Sequence, residues 1–187
     1  MRSDFVSKKA LIVLSVVLFS ITALPDCRKI AEKVFSGFDL TLTDVPTIIP
    51  PIPVSYYPVS LGSTWAFNLD SIVKAETRGA FRGKDLTSVR VKQASLRLQN
   101  ADSTTNLSSF YSVSIHLYSD NNTTPVTIVE ANVPDTATRT LNFDTSNSPE
   151  LLPYLQGSRI TYVVTAVSRR PTLHALLVYT DMILAIK

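Results

Sequence analysis

The chain has 187 residues, with 18 Lys+Arg against 15 Asp+Glu, a formal net charge of +3, and a single cysteine. So even a balance carries no electrostatic footprint for nucleic acid or for a strongly acidic partner. One thiol excludes an intramolecular disulfide and a cysteine-based metal cluster, so the fold must rest on its core, and the chain is long enough to bury one.

At the N-terminus, Arg2, Lys8 and Lys9 precede an uncharged run from Ala10 to Leu24 that stops at Pro25-Asp26. A bilayer core of about 30 Å needs roughly 20 apolar helical residues, whereas the apolar region of a secretory leader spans about 7 to 15. Residues 1–26 therefore read as a signal peptide or membrane anchor, and the protein as exported: periplasmic, outer-membrane-anchored or extracellular. Three fates of the leader compete. Cleavage after Ala23 releases a soluble chain; acylation of Cys27 makes a lipoprotein; retention leaves a tilted anchor. Leu24-Pro25-Asp26-Cys27 departs from the usual Leu-x-small-Cys signal by its acidic residue.

Residues 27–60 are expected to hold a short helix, a first strand and a proline-rich extended segment. From Arg28 to Phe38, Ile30, Ala31, Val34 and Phe35 recur at helical spacing and the run closes at Gly37. From Asp39 to Thr43 the alternation of Leu40 and Leu42 with polar residues predicts a strand. Pro46, Pro50, Pro51, Pro53 and Pro58 follow, and because proline donates no N–H this stretch is expected to be extended and edge-like. Its Ile48, Ile49, Ile52, Val54, Tyr56 and Tyr57 are expected to lie against the sheets and cover an edge. A polyproline recognition strip with exposed tyrosines is the alternative.

From Leu61 to the C-terminus, short alternating segments between turn clusters predict an all-β chain, an antiparallel β-sandwich of jelly-roll or Ig-like type spanning residues 61–187. Thr64 to Val73 reads as a strand carrying Trp65, Phe67, Leu69 and Ile72. Val89 to Leu98 begins with Val89 and Val91 inward and then switches phase to Ala94, Leu96 and Leu98, which predicts a β-bulge near Lys92-Gln93. A loop occupies Asn100 to Asn106. Tyr111, Val113, Ile115 and Leu117 form the next inward row, leaving His116 outward. Asp120 to Pro125 is a turn, Val126 to Glu130 and Arg139 to Phe143 are short strands, and Pro149 to Gln156 is a compact crossover packed by Leu151, Leu152, Tyr154 and Leu155. Ile160 to Val167, apolar in both phases, reads as a central strand. Leu176, Val178, Thr180, Met182, Leu184 and Ile186 give a long inward row, joined to it through Arg169 to Thr172 as a hairpin.

The run VRVKQASLRLQNADSTTNLSSFYSVSIHLYSD, the later TLNFDTSNSPELLPYLQGSRITYVVTAV and the closing strand resemble a group of uncharacterised exported bacterial β-sandwich proteins. The resemblance covers about residues 87–187 and implies an envelope-located sandwich without an assigned catalytic residue.

The chemistry of the chain is sparse. Its two histidines, His116 and His174, exclude a His-rich metal site, and only Asp120 or Asp181 brought close would complete a His-carboxylate one. Asp102, Asp120, Asn121 and Asn122 could offer oxygens to Ca²⁺, though turns use the same residues to bond their own backbone. No nucleophile elbow, phosphate-binding glycine loop or His-Glu-x-x-His occurs, so no catalytic residue, metal or cofactor is expected and the chain is not read as an enzyme. Basic residues gather between Lys74 and Arg97, around an aromatic in the run RGAFRG. Arg78, Phe81, Arg82 and Lys84 are the candidate contacts for an anionic glycan or lipid headgroup. The plainer account is a solvated hairpin and an edge strand guarded by charge.

The expected function is that of a non-enzymatic cell-envelope protein acting in adhesion, assembly or as an accessory subunit. Its expected partners are other envelope proteins or surface polysaccharide, with a membrane engaged only through the N-terminus and no nucleic acid. The alternative is a module holding a lipid or other hydrophobic ligand in a cavity lined by the last strands with Trp65, Phe67 and Tyr162.

Overall fold

The structure, a computed structural model, describes residues 37–54 and 57–187. The leader, Cys27 and Tyr56 lie outside these residues, as does the Arg28–Phe38 helix apart from its last two positions, of which Phe38 already opens the first strand. Among the described residues eight strands form two four-stranded antiparallel sheets: β1 (Phe38–Ile49), β2 (Val59–Ala66), β3 (Val89–Leu98), β4 (Phe110–Ser119), β5 (Val126–Asn132), β6 (Thr140–Asn142), β7 (Arg159–Ser168) and β8 (Leu176–Ile186). One sheet has the order β1-β8-β3-β6 and the other β2-β7-β4-β5. The pairs β1–β8, β2–β7, β3–β6 and β4–β5 are nested, as when one long antiparallel ribbon is rolled up, and this is the strand order of a jelly roll.

Alternation along the strands dictates which side chains meet between the sheets. Leu176, Val178, Thr180, Met182, Leu184 and Ile186 of β8 are all buried, facing Tyr162, Val164 and Ala166 of β7 and Val113, Ile115 and Leu117 of β4. The Tyr162 hydroxyl hydrogen-bonds Thr180 Oγ1 across this core. Burial raises the Tyr162 pKa, so the phenol stays protonated and can donate. As expected, β7 is flanked on both sides and β3 carries its bulge between Val91 and Gln93; β8, expected as a long inward row, also lies between two strands, β1 and β3.

Four expectations are corrected. The segment Arg169 to Thr172 is not a hairpin: β7 and β8 lie in different sheets, and the loop crosses between them. Only β4–β5 joins sequential strands within one sheet. The strand expected from Thr64 to Val73 ends at Ala66 and gives way to helix α1 (Leu69–Glu76). Asn68 caps that helix by accepting from Ser71 N at 2.9 Å, and Lys74 pairs with Asp70 one turn earlier at 2.5 Å. Tyr111 faces outward because a second bulge, between Phe110 and Ser112, shifts the β4–β7 register; Phe110 takes the buried place. The stretch from Lys74 to Arg97 is neither hairpin nor edge strand. It comprises α1, a 3₁₀ turn at Gly83–Asp85 and β3, which lies between β8 and β6. Where short β6 stops, the following segment covers β3: Leu151 N donates to Val89 O at 2.8 Å and Val91 N to Ser148 Oγ at 3.1 Å.

The compact unit spans Gly37–Lys187, so the strand before the proline segment belongs to the same sandwich. β1 runs on through Pro46 to Ile49 at a sheet edge, where the missing N–H costs no ladder bond. The expected crossover is present as helix α2 (Leu152–Leu155), with Leu151 and Leu155 buried beneath it.

Candidate functional site

At the end of the sandwich where β2 finishes and β7 begins, two connections wall a cleft of about 740 Å³. One wall is the β2–β3 connection, which includes α1 and the 3₁₀ turn. Asp70 fastens it: the carboxylate binds Lys74 and also accepts from Gly83 N at 3.0 Å. The Lys74 hydrogen bond first, and the Gly83 bond second, hold the Asp70 carboxyl below the usual range. The helix ends in a Schellman motif, with Gly79 N donating to Lys74 O at 2.7 Å and Arg78 at φ 52°, a left-handed position that glycine usually occupies.

The other wall is the turn from α2 into β7, held by Asp120 at the end of β4. Its carboxylate accepts from Ser158 N at 3.0 Å, Ser158 Oγ at 2.5 Å and Arg159 N at 3.3 Å. The Ser158 hydroxyl is the largest cause of the lowered Asp120 pKa. Gly157 is required beneath it, since a Cβ there would collide with Asp120 Oδ1. Phe67 N donates to Ser158 O at 3.0 Å and so ties the two walls together.

The lining combines buried Phe67, Leu69 and Leu155 with Asn68, Asp70, Lys84, Gln156 and Ser158. Both wall carboxylates are engaged internally, whereas Lys84 is exposed and pairs with no acid among the described residues. The cleft therefore offers an apolar surface, amide and hydroxyl groups, and one free ammonium.

Of the four residues expected to form a basic contact, Lys84 alone lines the cleft. Arg82 is exposed just before the 3₁₀ turn, and Arg78 is exposed at the far end of α1. Phe81 is half-buried rather than displayed, because its N–H donates to Thr77 Oγ1 at 3.1 Å and draws the loop back onto the helix. Asn68, Asp70, Gln156 and Ser158 were not among the expected contacts. The legible signal was Asn68 before LDSIVKAE, a helix cap with apolar residues at helical spacing.

No family model and no curated protein matches this chain. Its chemistry is thus read from the residues themselves. Trp65, half-buried on β2, and fully buried Tyr162, both expected to line a lipid cavity, pack against each other with ring centroids 6.0 Å apart, and neither lines the cleft. His116 is half-buried between Ser114 Oγ and Thr127 Oγ1, and His174 stands 3.9 Å from Asp102. Asp181 accepts from Asp44 N. Among the described residues no group of three or more His, Cys, Asp or Glu is placed to hold a metal, and no helix is long and apolar enough to cross a membrane.

The proline segment divides. Ile49 and Ile52 are buried as expected, but Ile48, Val54 and Tyr57 are 66, 52 and 82% exposed. With Tyr111 and Leu173 they stand at the end of the sandwich opposite the cleft, where Arg169 lies over the Tyr111 ring at 4.7 Å.

Proposed function

We propose that the protein is a non-enzymatic module of the cell envelope that holds a segment of acidic polysaccharide in the cleft beside Lys84. The observation that carries this reading is the charge state of the cleft: its one lining carboxylate, Asp70, is committed to Lys74 and Gly83 N, Asp120 behind the other wall is committed to Ser158 and Arg159 N, and its one ammonium, Lys84, pairs with no acid among the described residues. A sugar acid needs a cation for its carboxylate or sulfate, amides and hydroxyls for its ring oxygens, and apolar surface for its C–H faces. Lys84 with nearby Arg82 supplies the first, Asn68, Gln156 and Ser158 the second, and Phe67, Leu69 and Leu155 the third. A volume of about 740 Å³ falls within the range of small-ligand sites. The short leader and the resemblance of residues 87–187 to exported sandwiches agree with a place in the envelope, in adhesion or as an accessory subunit.

The test is titration calorimetry of the full chain with an acidic and a neutral polysaccharide. The acidic polymer should bind and weaken as salt rises, and Lys84→Ala should lose roughly tenfold or more in affinity, the value of one charge-assisted hydrogen bond. Arg170→Ala, at the opposite end and paired with Asp135, should bind as the parent does. Equal binding of the neutral polymer, or an unaffected Lys84→Ala, overturns the proposal.

A further inference from the structure

The two sheets present four edge strands, and three of them are blocked against further pairing. β1 carries Pro46 and a bulge at Asp44, which has φ 54°, with Arg97 and Lys92 bound to its Asp44 and Asp39. β5 follows Pro125, carries Glu130 and is paired through a register shift. β6 has only three residues. These are the devices by which natural sheets avoid adding strands.

β2 follows Pro58 as β5 follows Pro125, but within its own span it has none of these devices. Val59–Ala66 contains no proline and no charge, and its ladder with β7 runs through eight consecutive pairs without a bulge. The bond from Phe67 N to Ser158 O extends that ladder and sets its phase. Odd-numbered residues bond β7, so Ser60, Gly62, Thr64 and Ala66 turn their N–H and C=O groups to the free edge. Among the described residues nothing accepts or donates to them there. The inward phase is also incomplete: Val59, Leu61, Ser63 and Trp65 stay half-buried, whereas the inward residues of β7 are fully covered.

We infer that this edge is the seam of a homodimer, in which β2 pairs antiparallel with β2 of a second copy about a two-fold axis at Ser63. The strand's own sequence argues for a copy of itself. Residues directly opposite each other in antiparallel strands point to the same face. An axis at Ser63 sets Leu61 against Trp65 of the second copy and the reverse, covering two of the three half-buried apolar positions with one cross-strand pair repeated twice. On the outer face it sets Ser60 against Ala66 and Gly62 against Thr64, all small and uncharged, so no like charges meet. All four outward-facing residues of the edge are then paired, and the two sheets become one continuous sheet. A contact of this kind is isologous and closes on itself, so it stops at two chains. The inference stands independently of the ligand proposed for the cleft.

The experiment is cysteine cross-linking of the full chain in mild detergent, in a Cys27→Ser background that removes its only native thiol. Ser63 faces its symmetry mate in a non-hydrogen-bonded pair, with Cα atoms about 4.5 Å apart, within the range a disulfide spans. Ser63→Cys should oxidise to a disulfide dimer on a non-reducing gel, while Thr127→Cys on the blocked β5 edge should give only trace dimer. Adding Thr64→Pro, which removes one outward N–H, should abolish the Ser63→Cys dimer while the thermal melt stays cooperative. If Thr64→Pro loses its melt, the comparison of the two cysteine variants decides alone. Absence of a Ser63→Cys dimer, as when β2 serves a strand of another protein, overturns the inference. So does an equal yield from Thr127→Cys, or a dimer that survives the proline in a folded chain.

Discussion

Glu150 shows how a single side chain can replace a strand. Its carboxylate accepts from Ser88 Oγ and Val89 N, each at 2.6 Å, and from Leu152 N at 3.2 Å, with Arg90 Nε at 3.5 Å, and so covers the part of β3 that β6 does not reach. Burial pushes this carboxyl up, but the three hydrogen bonds and Arg90 together outweigh it and leave the pKa below the ordinary 4.5. A group whose folded pKa is depressed stabilises above its unfolded pKa, and that contribution disappears as pH falls through the folded value. Glu150→Gln should therefore cost about 1 kcal/mol at pH 7, a charge-assisted bond discounted for partial exposure, and nearly nothing near pH 2. Urea denaturation at the two pH values checks this, and an equal loss at both would refute it. None of these partners was legible in sequence, because Glu150 and Ser88 are brought together only when the β6–β7 connection returns along β3. The same limit hid Tyr111: its alternation with Val113 and Ile115 is real, and only the bulge set by pairing with β7 turns it outward.

At the scale of elements, β3 was the most readable, since its phase switch appears in the order of apolar residues. Gln93 pairs with Ile183 and Val91 with Leu184, so Lys92 is the extra residue. Deleting Lys92 restores strict alternation with Val89, Val91, Ala94, Leu96 and Leu98 still inward, and should lower stability by only about 1–2 kcal/mol. Deleting Ser95 instead drives Leu96 and Leu98 to the outer face and should abolish the cooperative melt. Circular-dichroism melts of the two deletions test the assignment; equal outcomes would show that the bulge lies elsewhere. Helix α1 was misread for a related reason. Trp65, Phe67 and Leu69 alternate as a strand does, while Leu69, Ile72 and Val73 also fit a helix turn, and the cap at Asn68 decides between two periods that overlap in sequence.

For the whole molecule, the nested pairing makes the two ends of the domain interdependent. Phe38 pairs with Ile186, and β8 also bonds β3, so the last strand completes two ladders and supplies an unbroken inward row to the core. Removing Thr180–Lys187 withdraws Thr180, Met182, Leu184 and Ile186 from the interior and should leave no cooperative transition by calorimetry. A truncated chain that kept its melting temperature would contradict the jelly-roll register. Such long-range closure also predicts folding on the slow side for a domain of this size.

The β-sandwich class, the inward rows of β7 and β8, the β3 bulge and the edge character of the proline-containing strand were all legible in the order of residues alone. These follow from alternation and from proline's missing N–H, both properties of adjacent residues. Tertiary pairing was needed to show that β7 and β8 lie in different sheets, that Lys84 faces a cleft without Arg78 or Phe81, and that β2 is the edge left unblocked among the described residues. Each of these depends on which distant segments pair, and the free energy that selects the pairing comes from burying faces together across the sandwich rather than from any local pattern.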